Sequence, residues 1–162
     1  MNAATHPTVG TIAPAFTLRD QYGQSVSLSH FRGRSAVALV FFPLAFTGTC
    51  TGELCELRDN LAMFTAAEVE LLGISVDSTA TLREFAEREG YTFSLLADFW
   101  PHGEVAQRYG AFLPEKGFAT RATVLVDAHG VVRASFASSP GEVRPLSAYR
   151  KALDALRATP VV

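Results

Sequence analysis

The sequence predicts an α/β protein, a mixed central sheet with helices on both faces. Two apolar runs, Ala36–Phe42 and Val69–Asp77, have the length and the Val, Ile, Leu and Phe content of strands buried on both sides. Segments with apolar residues at three- and four-residue spacing alternate with such runs, and that alternation requires parallel strand pairs. A strand–turn–strand pattern around Asp127–Gly130 adds antiparallel pairing at an edge.

The elements follow in order. Residues Met1–Gly10 read as a loose arm. Phe16 and Leu18 alternate with polar neighbours, Gln21–Gly23 turn, and Val26 and Leu28 alternate again, which predicts a hairpin and then a helical turn over Ser29–Arg32. Ala36–Phe42 is the first buried strand, bounded by Gly33 and Pro43. Leu54, Leu57, Leu61 and Phe64 mark one face of a helix. After the strand Val69–Asp77, Ser78 is an N-cap candidate for a helix carrying Leu82, Phe85 and Ala86 and stopping at Gly90. Tyr91–Asp98 is a short third strand, and the turn Phe99–Gly103 leads to a short helix ending at Gly110. Strands Ala122–Val126 and Val131–Phe136 form the late hairpin. The closing helix turns Leu146, Tyr149, Leu153 and Leu156 inward.

The 162 residues fit one domain spanning 1–162, with 48% apolar and 19% charged residues. A formal net charge of −2 leaves no cationic surplus for a nucleic-acid partner or an acidic membrane surface. No apolar run approaches the ~18 residues of a membrane helix. The N-terminal stretch lacks the charged-then-apolar pattern of a secretory signal. Two cysteines are too few for a disulfide scaffold, so we read a reducing cytoplasm and a pair kept for chemistry.

Both cysteines, Cys50 and Cys55, fall within "FFPLAFTGTCTGELCELRD", residues 41–59. Pro43 has no N–H and ends the strand ladder. Thr47 is an N-cap candidate, which sets Cys50 in the first turn of the following helix. There the free amides and the helix dipole favour a thiolate and can lower a cysteine pKa from ~8.5 to roughly 3.5–7.5. The carboxyl end of a central strand is also where open α/β sheets carry their sites. Five residues of intact helix hold the two Cα atoms roughly 9 Å apart, beyond the ~7 Å reach of a disulfide. A bridge therefore needs the first turns to unwind, and Gly48 and Gly52 weaken the helix there. Cys55, beside Leu54, also suits a simple packing role.

The pattern Pro43-x-x-x-Thr47-x-x-Cys50 resembles the signature of the peroxiredoxins, and the resemblance extends along nearly the whole chain. "FFPLAFTGTCTGELCELRD" and "DFWPHGEVAQRYG" are similar to the one-cysteine alkyl hydroperoxide reductase E type. The spacing C-T-x-E-x-C-x-L-R-D is similar to the bacterioferritin comigratory protein branch, in which a second cysteine five residues on resolves the first. The resemblance implies a thioredoxin-like fold and a thiol-dependent peroxidase without metal, flavin or haem. It implies that Cys50 is the peroxidatic nucleophile and becomes a sulfenic acid. Thr47 supplies the hydroxyl that hydrogen-bonds peroxide and thiolate, and Pro43 shields the sulfur. Arg121, in "TRATVLVD", returns from a distant strand to stabilise thiolate and developing oxyanion. Glu53, three residues after Cys50, would oppose ionisation if unpaired, so it is expected to pair with an arginine, with a solvated acid near a helix start as the alternative. Cys55 departs from the one-cysteine pattern. As a resolving residue it closes the cycle within one chain, with thioredoxin or a mycoredoxin-like dithiol as reductant; if it is only packed, an external low-molecular-weight thiol must act.

Two other functions compete: a thiol-disulfide oxidoreductase using Cys50 and Cys55, and a peroxide sensor that relays oxidation to a partner. The missing C-x-x-C pair speaks against a general disulfide reductase. His6, His30, His102 and His129 are scattered without ligand spacing and read as surface or turn residues. The turn holding Trp100 and His102 is expected to pack near the site or an interface. A homodimer is expected, with the apolar loop Phe42–Phe46 as a contact.

Overall fold

A computed structural model describes residues 6–158. Of the arm expected over Met1–Gly10, residues 1–5 lie outside the described residues. Its end is tied to the sheet, Gly10 N donating to Val132 O at 2.8 Å. The chain then forms β1 (Thr17–Asp20) and β2 (Ser25–Ser27), a 3-10 turn (Leu28–Phe31), β3 (Ala36–Phe41), α1 (Gly48–Asp59) and α2 (Leu61–Ala66). Next come β4 (Val69–Ser75), α3 (Thr79–Glu89), β5 (Ser94–Ala97) and α4 (Glu104–Arg108). β6 (Phe112–Leu113), β7 (Phe118–Ala119), β8 (Arg121–Val126), β9 (Val132–Ser138) and α5 (Leu146–Ala158) complete it.

Seven strands form one sheet in the order β2-β1-β5-β4-β3-β8-β9. β3, β4 and β5 run parallel, while β8 is antiparallel to β3, and β1 to β5. The late hairpin was expected as an edge. Only β9 is one, because β8 pairs on its other side with β3 from Val37↔Val126 to Val40↔Thr123.

All six residues of β3 are buried, and their alternation divides the core. Ala36, Ala38, Val40 and Phe42 meet Leu54 and Leu57 of α1, Phe64 of α2, Leu82 and Phe85 of α3, and Tyr149 and Leu153 of α5. Val37, Leu39 and Phe41 face Val105 and Ala106 of α4 and Tyr109 just after it. Helices thus cover both faces of a thioredoxin-like sheet.

Two details differ from the sequence reading. The helix expected through Leu54–Phe64 breaks at Asn60, the boundary of α1 and α2, yet Leu57 and Phe64 still reach one core. The two-residue strands β6 and β7 had no signal, since alternation cannot register over two residues. Their hairpin receives the turn at 99–103, His102 Nε2 lying 2.7 Å from Gly117 O, while Trp100 stays 82% exposed. Ser78 caps α3 as expected, accepting from Thr81 N, and Gly90 ends it in the left-handed region at φ 72°.

Candidate active site

The site forms where β3 gives way to α1. Phe42 N makes the last sheet bond, to Ile74 O at 3.0 Å, and Pro43 cannot continue it. The loop 43–46 is pinned from below: Ala45 N donates to Asp77 Oδ2 at 2.8 Å, and Ser75 Oγ holds the same oxygen at 2.6 Å. Phe46 takes φ 67°, a left-handed conformation that costs a non-glycine residue of order 1 kcal/mol. Its ring packs on Phe85 at 5.0 Å, under the Arg88 guanidinium at 5.3 Å. Of the apolar loop expected at a dimer contact, Phe42, Pro43 and Ala45 are buried, and Phe46 remains exposed.

Thr47 occupies the N-cap position, so Cys50 lies in the first turn of α1. The threonine hydroxyl makes no capping bond; it donates instead to Leu44 O at 3.0 Å, stays at the surface and keeps its lone pairs free.

Cys50 is fully buried, and its sulfur accepts from Arg121 Nη2 at 2.9 Å. Arg121 is the first residue of β8, so its strand aims it at the helix start. It also donates from Nη1 to Glu53 Oε1 at 3.0 Å and from Nε to Pro140 O at 2.6 Å. Glu53 is not a solvated acid. It is 1% exposed and pairs with two arginines.

The second is Arg144, in the loop before α5. Its backbone N and Nε reach Glu53 Oε2 at 2.7 and 3.0 Å, and Nη2 reaches Oε1 at 2.5 Å. The remaining nitrogen, Nη1, donates to Ala122 O at 2.7 Å and Thr123 Oγ1 at 3.1 Å. Burial alone would push the Glu53 carboxyl up. The hydrogen bonds and charge of Arg144, with the charge of Arg121, outweigh it and hold the carboxyl below its ordinary value. Nothing in the local sequence around Arg144 announced this role, because its partner lies 91 positions away.

Cys55 points elsewhere. It is half-buried on α1, with its sulfur 3.5 Å from Glu89 Oε2 and 3.4 Å from Tyr91 Oη. Both cysteines are free, and α1 is continuous through them.

The family model described as AhpC/TSA family matches residues 9–135, more than half of the chain. The chain belongs to the AhpC/TSA family. Alkyl hydroperoxide reductase E of Mycobacterium tuberculosis is 50% identical over 150 residues, covering 93% of this chain and 98% of the relative. Peroxiredoxin Bcp of Escherichia coli is 39% identical over 134 residues, covering 78% and 83%. Among solved structures, peroxidoxin BcpB from Mycobacterium tuberculosis superposes with a TM-score of 0.80 at 30% identity, covering 96% of this chain and all of that one. This AhpC/TSA chain is thus a peroxiredoxin, a thiol-dependent peroxidase. Among its described residues, no helix is long and apolar enough to cross a membrane, and no group of three or more His, Cys, Asp or Glu side chains could hold a metal ion.

Proposed function

We propose that Cys50 is the nucleophile of the peroxidase, in a single domain that works on hydrogen peroxide and organic hydroperoxides. The supporting observation is the 2.9 Å bond from Arg121 to the Cys50 sulfur inside a buried cluster at a helix start. Two guanidinium groups and one carboxylate leave one positive charge over, and an anionic sulfur balances it. The thiolate attacks the terminal oxygen of the hydroperoxide. An S–O bond forms, the O–O bond breaks, and the other oxygen departs as alkoxide or hydroxide and takes a proton from solvent. Arg121 steadies sulfur and departing charge, and Pro43 keeps water from the sulfur. The Thr47 hydroxyl, free to accept, orients the peroxide. Glu53 holds both arginines in place.

A direct test is Arg121→Lys, which keeps the charge but loses the fork that serves Cys50, Glu53 and Pro140 together. Stopped-flow kinetics should show kcat/KM for peroxide reduced by about 10²-fold. An unchanged value would remove Arg121 from the mechanism.

Cys55 completes the cycle as the resolving thiol. With α1 intact the sulfurs sit in separate surroundings, so the disulfide state requires the first turns of α1 to open. Gly48 and Gly52 have no neighbouring atoms where a Cβ would stand, so nothing packs those turns shut at either glycine. After one equivalent of peroxide, wild-type protein should weigh two hydrogens less than the reduced form. In Cys55→Ser it should instead weigh one oxygen more. Wild type gaining an oxygen would assign resolution to an external thiol. A dithiol protein such as thioredoxin or a mycoredoxin is the matching reductant, in the cytoplasm. We place a homodimer contact around the exposed Phe46.

A further inference from the structure

We infer that Glu89 is the base that removes the Cys55 proton when Cys55 attacks oxidised Cys50. The inference rests on the reading that Cys55 resolves Cys50.

The geometry starts from Tyr91. Its hydroxyl has one proton, donated to Thr51 O at 3.2 Å, a carbonyl in the first turn of α1. Burial and the neighbouring Cys55 push this phenol well above its ordinary value, so the proton stays. Tyr91 is therefore committed as a donor, and the S–H of Cys55 must find an acceptor. Two lie in reach: Tyr91 Oη at 3.4 Å and the Glu89 carboxylate at 3.5 Å. The charged oxygen is the stronger acceptor. Glu89 closes α3, and its carbonyl accepts from Arg58 Nη1, which fixes the helix end against α1.

The charged and titratable groups around the sulfur are few. Arg58 stands one turn along α1 and pairs with Asp59, and Arg88 of α3 is occupied by Glu84. Among the described residues, Glu89 is the carboxylate bonded to Cys55.

The step balances as follows. The Cys55 S–H proton passes to the Glu89 carboxylate, and the sulfur attacks the Cys50 sulfenic sulfur. An S–S bond forms while the S–OH bond breaks, and the departing hydroxide collects the proton from Glu89 as water. When Cys55 ionises, the Tyr91 proton can turn from Thr51 O to the sulfur. Activation of the thiol then releases a carbonyl of the turn that has to open.

The test follows sulfenic acid and disulfide in single turnover from pH 6 to 9, by rapid quench and mass spectrometry of the full chain. Glu89→Gln should leave Cys50 oxidation at the wild-type rate and slow disulfide formation about 10-fold or more at pH 7. The gap should close near pH ~8.5, where free thiols ionise unaided. Glu89→Asp, which keeps a carboxylate, should preserve the wild-type pH profile at a reduced rate. A Glu89→Gln rate equal to wild type, or lowered by one factor at every pH, overturns the role of Glu89 alone. Wild type that never forms the Cys50–Cys55 bridge overturns this inference together with the resolving role of Cys55.

Discussion

Cys50→Ser should consume no peroxide above the buffer rate, while Cys55→Ser still becomes oxidised at Cys50. A serine hydroxyl can still accept from Arg121 across the gap now spanned at 2.9 Å. It stays neutral near pH 7, however, and an alcohol does not attack the O–O bond as a thiolate does. The contrast between the two variants isolates the sulfur that reacts. Both should keep the wild-type circular dichroism, since serine is smaller than cysteine and creates no clash. Measurable turnover in Cys50→Ser, followed by peroxide loss over time, would move the chemistry to another residue. The competing functions separate in the same assays. A disulfide reductase would reduce insulin and ignore peroxide. A sensor would oxidise quickly and turn over poorly with thioredoxin.

Glu53→Gln should be the most damaging substitution for stability. Glu53 balances Arg121 and Arg144, all three 1% exposed. Breaking a buried ion pair by removing one partner costs about 3–5 kcal/mol, and the amide would leave two guanidinium groups around Cys50 without their counter-ion. Denaturant unfolding at pH 7 measures the loss directly. The acid limb gives an independent readout. The Glu53 carboxyl lies below its ordinary value in the folded chain, so its contribution is fully present above the unfolded value of ~4.3. It declines as pH falls from there through the lower folded value. Glu53→Gln should flatten that limb, and an unchanged slope would show that Glu53 does not drive acid unfolding.

The parts of this picture visible in the sequence were those encoded locally. The apolar run of β3, the cap position of Thr47 and the placement of Cys50 all follow from neighbours within a few residues. Arg121 was reached through the family resemblance, since the strand read from the pattern began only at Ala122, whereas β8 starts at Arg121 itself. Arg144 and Asp77 were not. Each sits in a connection without periodicity and acts on a partner 91 or 32 positions away. The surroundings of Cys55 were hidden for the same reason, since Glu89 and Tyr91 arrive from the far end of α3. The position of β8 beside β3 is likewise a long-range pairing that a hairpin pattern cannot reveal. Glu53 is an intermediate case: its place three residues after Cys50 called for an arginine partner, and the fold supplies two.

The cluster at Cys50 is assembled from Glu53, Arg121 and Arg144, with Pro140 closing over it. Glu53 leaves the ribosome with Cys50, but Arg121, Pro140 and Arg144 follow long after. With Cys50 as the proposed nucleophile, a nascent chain should carry an ordinary thiol until the last loop and helix dock, and its sensitivity to oxidant should arise only in the completed fold.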